Sequence, residues 1–451
     1  EQYRGLASPA VDLYALGASL HHLLTRRDPR LEPPFTFHKR PIRDYNPNVP
    51  EALSAVVMRA VSYNAEDRYA SAEAMKASLI AAGSSSVAMS VPPAPASQGA
   101  GNNQHLQAGC LQAGAPAPQG GPGPTGLAPA NSATPIWAFQ VEDVVRSTPL
   151  VKDGIVYIGS YDNNLWALDA ADGSLVWKFA TGGGIGSSPA YGAGLVFVGS
   201  SDNALHAIDA HTGARQWLFK TGDRIYSSPV AAKGLVFFGS DDGKLYAIRP
   251  RPTSAREMWA YNALSPIRST PAVTDTHVFF GSDMGELFCI ELSGEMRWRF
   301  DTRRRVMSSP VVQDNFVFFG SDDWYFYGLD TGQGYPIWRY RTRGPIVSSP
   351  ALDGQYVYFG SADGCVYALE AVSGREVWKY EVGQPVTSSP CRYGEAVYIG
   401  ATDGALYCLH AQTGELLWRF QSGGPIVSSP RVEDDIVYIG SDDKLIYALQ
   451  A

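Results

Sequence analysis

The chain has 451 residues, 45% hydrophobic and 18% charged, with a formal net charge of −8. No uninterrupted apolar run reaches the roughly 18 residues that a membrane helix needs, so the composition is that of folded soluble domains. Residues 1–82 hold ten Lys/Arg and nine Asp/Glu, leaving 26 against 35 for the rest, and this acidity argues against a general nucleic-acid binder with a basic footprint.

The first stretch has helical periodicity. EQYRGLASPA lacks the basic and apolar regions of a signal peptide, and a chain opening on Glu reads as a fragment of a longer one. Ser8 and Pro9 are N-cap and first-turn residues for a helix of about four turns, whose apolar face is Leu13, Leu16, Gly17, Leu20 and Leu24. A second helix follows Pro50 through Leu53, Val56, Val57, Ala60 and Val61. A third, capped by Ser71, runs through Ala72, Met75 and Leu79. Pro33, Pro34, Pro41 and Pro47 mark a basic loop between the first two. His21 and His22 are adjacent on a helix, about 100° apart, and do not converge on a site.

Residues 83–134 are mostly Ala, Pro, Gly, Ser and Gln, without one Asp, Glu, Lys or Arg. Such a segment cannot bury a core and is expected to be a disordered linker.

From Trp137 to the C-terminus one unit recurs eight times. Tryptophans fall at 137, 177, 217, 259, 298, 338, 378 and 418, 40 residues apart except for one interval of 42 and one of 39. Each unit carries Trp-x-aromatic, then Ser-Ser/Thr-Pro, an apolar run ending in Gly, an Asp-containing turn and a run such as Leu-Tyr-Ala-Leu-Asp. This period with four short strands per unit predicts an eight-bladed β-propeller over residues 135–451. Ser-Ser-Pro is assigned to the innermost strand A, followed by alternating strands B and C, with the Trp run as outer strand D. Asp-Gly and Asp-Asn at Asp162, Asp242, Asp363 and Asp403 read as hairpin turns and not as a metal-binding ring. The domain opens on a lone strand D, 136–140, and ends after a strand C, 445–449. Pairing the two closes the ring and removes both edges.

Of the five cysteines, Cys289 and Cys408 replace a small alanine of strand C, and none of Cys110, Cys289, Cys365, Cys391 and Cys408 has metal-ligand spacing. Free thiols suit a reducing cytoplasm.

Two resemblances follow from these motifs. W-x-F…SSP…DG-x-V-Y-x-GS-x-DG-x-L-Y-A-L-D…TG-x-x-x-W resembles the pyrroloquinoline quinone (PQQ) repeat of quinone-dependent alcohol dehydrogenases, of the propeller lipoprotein of outer-membrane barrel assembly, and of bacterial Ser/Thr kinases with a C-terminal propeller. The stretch EQYRG…SPAVDLYALGASLHHLLT…DRY.SAEAM resembles the end of a bacterial Ser/Thr kinase large lobe. That resemblance implies that Glu1 closes the activation segment, Asp12 opens the central helix and Arg68 pairs with Glu1. The Gly-rich loop, strand Lys, His-Arg-Asp and Asp-Phe-Gly are absent from the sequence, so no catalytic residue is assigned and ATP with magnesium would belong to a portion upstream.

Function is therefore expected in a regulatory or sensory propeller of such a kinase, cytoplasmic and monomeric. An assembly scaffold is the alternative, and a PQQ-dependent dehydrogenase ranks last. The chain lacks the adjacent cysteines that many quinone enzymes stack on the cofactor, and no PQQ, calcium or other metal site is assigned. Candidate ligand-binding residues are those that break the repeat at the funnel mouth. They are Arg146, Tyr226, Arg268 and Met307 just before the serine pair, with Arg304, Arg305 and Arg343 in the D-to-A loops. Such a sector suits a small anionic ligand or an acidic protein partner.

Overall fold

A computed structural model describes residues 9–25, 37, 40–62, 65–84 and 133–451. Its contacts separate Glu1–Ala130 from Asn131–Ala451. Most of the expected linker lies outside the described residues, as do Ser8, Glu1 and the side chains of Asp12 and His22.

The first unit contains α1 (Pro9–Thr25), α2 (Ile42–Tyr45), α3 (Glu51–Ala60) and α4 (Ala72–Ser84). Pro50 stands at the N-cap of α3, and the Ser71 hydroxyl accepts from the Ala74 N–H at 3.2 Å at the start of α4. The helix α2 falls within the segment read as a loop. Pro41 starts it, and it forms because Ile42 is fully buried against Val49 and Val57. Leu13, Val56, Ala60, Tyr69, Met75 and Ala82 form the main core. Leu16, counted on the apolar face from its spacing, is exposed. Gly17 lets α1 approach α3, since a Cβ there would lie 2.7 Å from the Ala60 Cβ. His21 is buried, with Nε2 2.8 Å from the Arg40 carbonyl and its ring against Phe37. It is a packed histidine of the core edge.

The second unit is a ring of eight four-stranded antiparallel sheets. In the first blade, strands A to D are Leu150–Lys152, Ile155–Gly159, Asn164–Asp169 and Leu175–Ala180. The A strands of neighbouring blades adjoin around the axis. The last blade is composite: Pro135–Gln140 pairs antiparallel with Leu445–Gln450, Trp137 opposite Ala448 and Gln140 opposite Leu445. The predicted closure is thus the one observed. The 42-residue interval arises from a long hairpin in the third blade, Lys244–Arg251 with Ser254–Asn262.

Two details differ from expectation. Burial does not alternate along strands B and C; Leu195–Ser200 and Ala204–Asp209 are buried almost throughout, because each blade is covered by a neighbour on both faces. Alternation survives in strand D, as in Leu175–Ala180, where one face is wet. Ser-Ser-Pro lies just before the short strand A and not within it.

Neighbouring blades are latched at up to three radii. At the periphery, a bulge opposite Ala167/Leu168 sets Trp177 inward. Its indole N–H donates to the Ala210 carbonyl of the following blade at 3.0 Å; Trp137, Trp217, Trp259, Trp298, Trp338 and Trp378 make the equivalent bond at 2.7–3.0 Å. At middle radius, a fully buried Ile or Val packs on a strand-B glycine of the blade before it. At the closure, a Cβ on Gly440 would fall 2.2 Å from the Val145 Cγ1.

Around the axis the serine pairs form a hydrogen-bonded belt. Buried Ser187 accepts from the Gly199 N–H within its own blade at 2.9 Å. The second serine links blades: Thr148 N–H to Ser188 Oγ, Ser188 N–H to Ser228 Oγ and Ser309 N–H to Ser349 Oγ, at 2.8–2.9 Å. Where the next blade carries Thr148 or Thr270, the buried first serine bridges instead, Ser428 to the Ser147 carbonyl and Ser227 to the Ser269 carbonyl, both at 2.8 Å.

The turn aspartates are consumed by this architecture. Asp242 Oδ1 accepts from the Lys244 N–H, and its Oδ2 accepts from the Gly222 N–H at 2.8 Å and the Tyr246 hydroxyl at 2.7 Å. In the second blade the Tyr position is His206, 97% buried, with Nε2 2.9 Å from Asp202 Oδ2 and Nδ1 without a partner among the described residues.

Two stability predictions follow from these contacts. Gly173 has φ +74° and an added Cβ would strike Trp137 at 2.6 Å, whereas Gly154, at φ +76°, has nothing within 4 Å. Gly173→Ala is expected to cost about 2 kcal/mol more than Gly154→Ala in urea unfolding, because both bear the left-handed penalty but only one overpacks the latch. Burial lowers the pKa of His206 below its ordinary 6.5. Its contribution to stability is present above 6.5 and is lost as pH falls through the depressed value, so His206→Tyr should flatten the acid side of the Tm–pH curve.

Candidate functional site

The rim of the central funnel is built from two registers of each blade. One is the residue before the serine pair: Arg146, Gly186, Tyr226, Arg268, Met307, Val347, Thr387 and Val427. The other precedes the turn aspartate in Gly-Ser-x-Asp, and the repeat holds it in place. Its backbone N–H donates to the D-to-A loop, as from Asp241 to the Arg224 carbonyl at 2.8 Å and from Asp322 to the Arg305 carbonyl at 2.9 Å.

These registers converge in a charged arc. Arg146 forms a two-pronged pair with Asp442 at 3.1 and 2.9 Å across the closure of the ring, and its guanidinium lies 5.8 Å from the Tyr161 ring. Gly186 leaves the space that Tyr161 and Tyr226 occupy. Arg268 forms a second two-pronged pair with Asp241 at 2.9 and 3.1 Å, lies 3.5 Å from Asp283 and covers the Tyr226 ring at 5.5 Å. The carboxylate hydrogen bonds raise the pKa of both arginines, Asp442 acting on Arg146 and Asp241 on Arg268. Oδ1 of Asp283 and Oδ1 of Asp322 are buried without a partner among the described residues. Burial raises both carboxyls above 3.8, opposed by Arg268 and Arg305 at Asp283, and by Arg305 and Arg304 at Asp322.

Of the expected residues, the fold therefore brings Arg146, Tyr226 and Arg268 onto the funnel arc, with half-buried Met307 in the same register. Arg304 and Arg305 are exposed in the adjoining loop. Arg343 is set apart, exposed on the next loop with its guanidinium beside Cys365. The spacing pointed to the arginines and missed Asp241, Asp283, Asp322, Asp442 and Tyr161. Their shared position in Gly-Ser-x-Asp was legible, but only the ring shows that it faces the residue before the serine pair. Among the described residues, no group of three or more His, Cys, Asp or Glu is placed to hold a metal ion.

The model of the outer membrane protein assembly factor BamB matches residues 127–266, and that of the β-propeller of the beta-alanine-activating enzyme matches residues 253–451. The chain carries a PQQ-like, BamB-type β-propeller. Among solved structures, BamB from Moraxella catarrhalis superposes with TM-score 0.62 at 17% identity, covering 71% of this chain and 100% of that one. The computationally designed Ika8 protein gives 0.63 at 17% identity with the same coverage. Quinohemoprotein alcohol dehydrogenase from Comamonas testosteroni gives 0.61 at 15% identity over 72% of this chain and 78% of its own. At these identities the likeness is one of fold. Comparison with curated proteins finds no match. Both family models lie within residues 127–451, outside the helical segment.

The BamB-type propeller does not fit the quinone cofactor used by some propellers of its shape. The funnel carboxylates Asp241 and Asp442 are already paired with arginines. Cys289, Cys365, Cys391 and Cys408 are separate strand residues.

The strained electrostatics of the arc are testable. Asp322 is expected to be held partly against its ionisation, so Asp322→Asn should raise the Tm at pH 7 by about 2 °C or more. The raised carboxyl costs stability only once it ionises, so in a thermal-melt series the gain should shrink as pH falls through the raised value and be gone once pH is below 3.8.

Proposed function

We propose that this propeller is a non-catalytic binding scaffold for a protein partner, and that it serves as the input or targeting module of a bacterial Ser/Thr kinase. The observation supporting a protein partner over a small anion is the saturation of the funnel arginines. Arg146 and Arg268 each carry a two-pronged carboxylate within the chain. A small anion would have to displace Asp442 or Asp241, already held at ideal geometry, and would gain little. A larger partner can instead use the D-to-A and B–C loops, which the rigid ring projects on one face.

The kinase part rests on the motifs between Glu1 and Met75 and on the setting of Arg68. Its Nε donates to the Ser62 carbonyl at 2.8 Å, and its guanidinium lies 4.7 Å from the Tyr14 ring. An arginine held by backbone and aromatic groups inside a helical unit suits the carboxylate-pairing role that the resemblance assigns to it. A cytoplasmic location goes with this reading. Among the described residues, no helix is long and apolar enough to cross a membrane. The second reading is an assembly scaffold without a kinase; it is favoured by the match of residues 127–266 to BamB.

Two measurements separate these readings. Inorganic phosphate and citrate are expected to shift the Tm of the wild type and of Arg268→Glu by no more than about 1 °C. A saturable stabilisation abolished by Arg268→Glu would overturn the protein-partner reading in favour of a small anion. The coding sequence upstream of Glu1 is expected to encode His-Arg-Asp and Asp-Phe-Gly; an upstream region without them removes the kinase and leaves the scaffold.

A further inference from the structure

The fourth and fifth blades depart from the repeat on the loop face, and the departures adjoin. Where other blades place the turn aspartate, the fourth has Met284, 73% exposed; in the loop beside it stands Leu264, 85% exposed at φ +59°. The Met284 N–H donates to Ser265 Oγ at 2.9 Å, so the two apolar side chains sit on neighbouring loops. In the fifth blade the left-handed turn position, Gly or Asn in most blades, is Trp324. It has φ +74° and is 40% exposed. A bulky residue at positive φ is a true outlier, so the repeat is here broken against local preference.

Hydrogen bonds make these positions one ridge. Gly285 packs against the Arg304 carbonyl, its carbonyl accepts from Thr302, the Arg303 N–H donates to Asp323 at 3.2 Å, and the Trp324 carbonyl accepts from the Thr342 N–H at 3.0 Å. The order across the face is Leu264, Met284, the 303–305 loop, Trp324 and the 341–343 loop. Arg303, Arg304, Arg305, Arg341 and Arg343 are all exposed along it. Among the described residues none of the five forms an ion pair, in contrast to Arg146 and Arg268. Arg341 and Arg339 instead flank the Tyr325 ring at 5.9 and 4.9 Å.

We propose that the ridge Leu264–Met284–Trp324, with Arg303, Arg304, Arg305, Arg341 and Arg343, is the docking surface for an acidic protein segment carrying an apolar anchor. This deepens the scaffold reading, on which it rests, by naming the surface and the chemistry of the partner. Charge complementarity selects the occupant: five arginines without ion pairs form a local basic field on a domain whose net charge is negative. At physiological salt that field acts over roughly 8 Å, so it favours a short carboxylate-bearing segment lying on the patch. An extended polyanion such as single-stranded nucleic acid needs a basic track along its backbone, and the acidic remainder of the propeller repels it. The exposed Trp, Leu and Met supply the apolar contact at the centre of such an interface, and the arginines supply orientation and rim charge.

The test uses the full chain and an array of synthetic Glu/Asp-rich peptides with a single Phe or Leu anchor. Lys-for-Glu counterparts and a labelled oligothymidylate are measured beside them by fluorescence anisotropy. Acidic anchored peptides are expected to bind with an affinity that falls as salt rises. Trp324→Gly and the double variant Arg303→Glu/Arg343→Glu should each weaken binding at least about tenfold. Trp324→Gly restores the residue of other blades and should leave the Tm unchanged or higher, so loss of binding in it is not loss of fold. Three results overturn the proposal: no acidic peptide binds, the ridge variants bind as well as wild type, or oligothymidylate binds more tightly than every peptide. Peptide binding lost in Arg268→Glu but intact in both ridge variants would refute the ridge while leaving the scaffold reading in place.

Discussion

Everything in the propeller depends on how one blade grips the next. A four-stranded sheet of about 20 paired residues is buried on both faces only if two neighbours cover it, so no blade is stable alone and the ring must close. The latches divide the work by radius. Indole donors reach a carbonyl one blade on at the rim, Ile or Val knobs fill glycine gaps at mid-radius, and serine hydroxyls pair around the axis. Each uses a residue type for which the place has a specific need: a large planar donor, a missing Cβ, a small hydroxyl with two bonding directions. The same three latches run from the composite last blade to the first, where Trp137 donates to the Ala170 carbonyl, Ser428 bonds to the Ser147 carbonyl and Val145 fills the space beside Gly440.

Because these latches lie inside, the loops are free to vary without cost to the ring. That freedom is used unevenly. The sixth and seventh blades keep Ala362 and Thr402 with Val347 and Thr387 at the rim, whereas the first, third, fourth, fifth and eighth carry the arginines, tyrosines and carboxylates. Two kinds of charge result. Funnel arginines are neutralised across blade boundaries and stiffen the rim, and the loop arginines of the fifth and sixth blades remain open to a partner. The apolar ridge runs beside the second kind.

Much of this was legible in the residues. The tryptophan period, the Asp-Gly turns and the orphan strands at 136–140 and 445–449 carry the blade count and the closure, because strand pairing and turn chemistry are local properties. Ser71 as a cap and Pro50 as a helix start were equally local. Less legible were features that depend on neighbours distant in sequence. The short helix at Ile42–Tyr45 exists because Ile42 finds a buried site, and a proline-rich stretch gives no sign of that. Leu16 has the right spacing for a core face and no neighbour to bury it among the described residues. Strands B and C look amphipathic in sequence but are covered twice, which only the stacking of blades imposes.

For the candidate site, sequence alone singled out the arginines, since they interrupt a repeat. It could not show which of them were already spent. Arg146 and Asp442 are 296 residues apart, and their pairing exists only because the ring brings the first blade against the last. Leu264, Met284 and Trp324 lie on separate loops, which the packing of the fourth blade against the fifth sets side by side. Local chemistry thus determined the eight blades, their turns and their join. The tertiary ring decided which side chains meet, because in a closed repeat the partners of a loop residue come from the neighbouring unit.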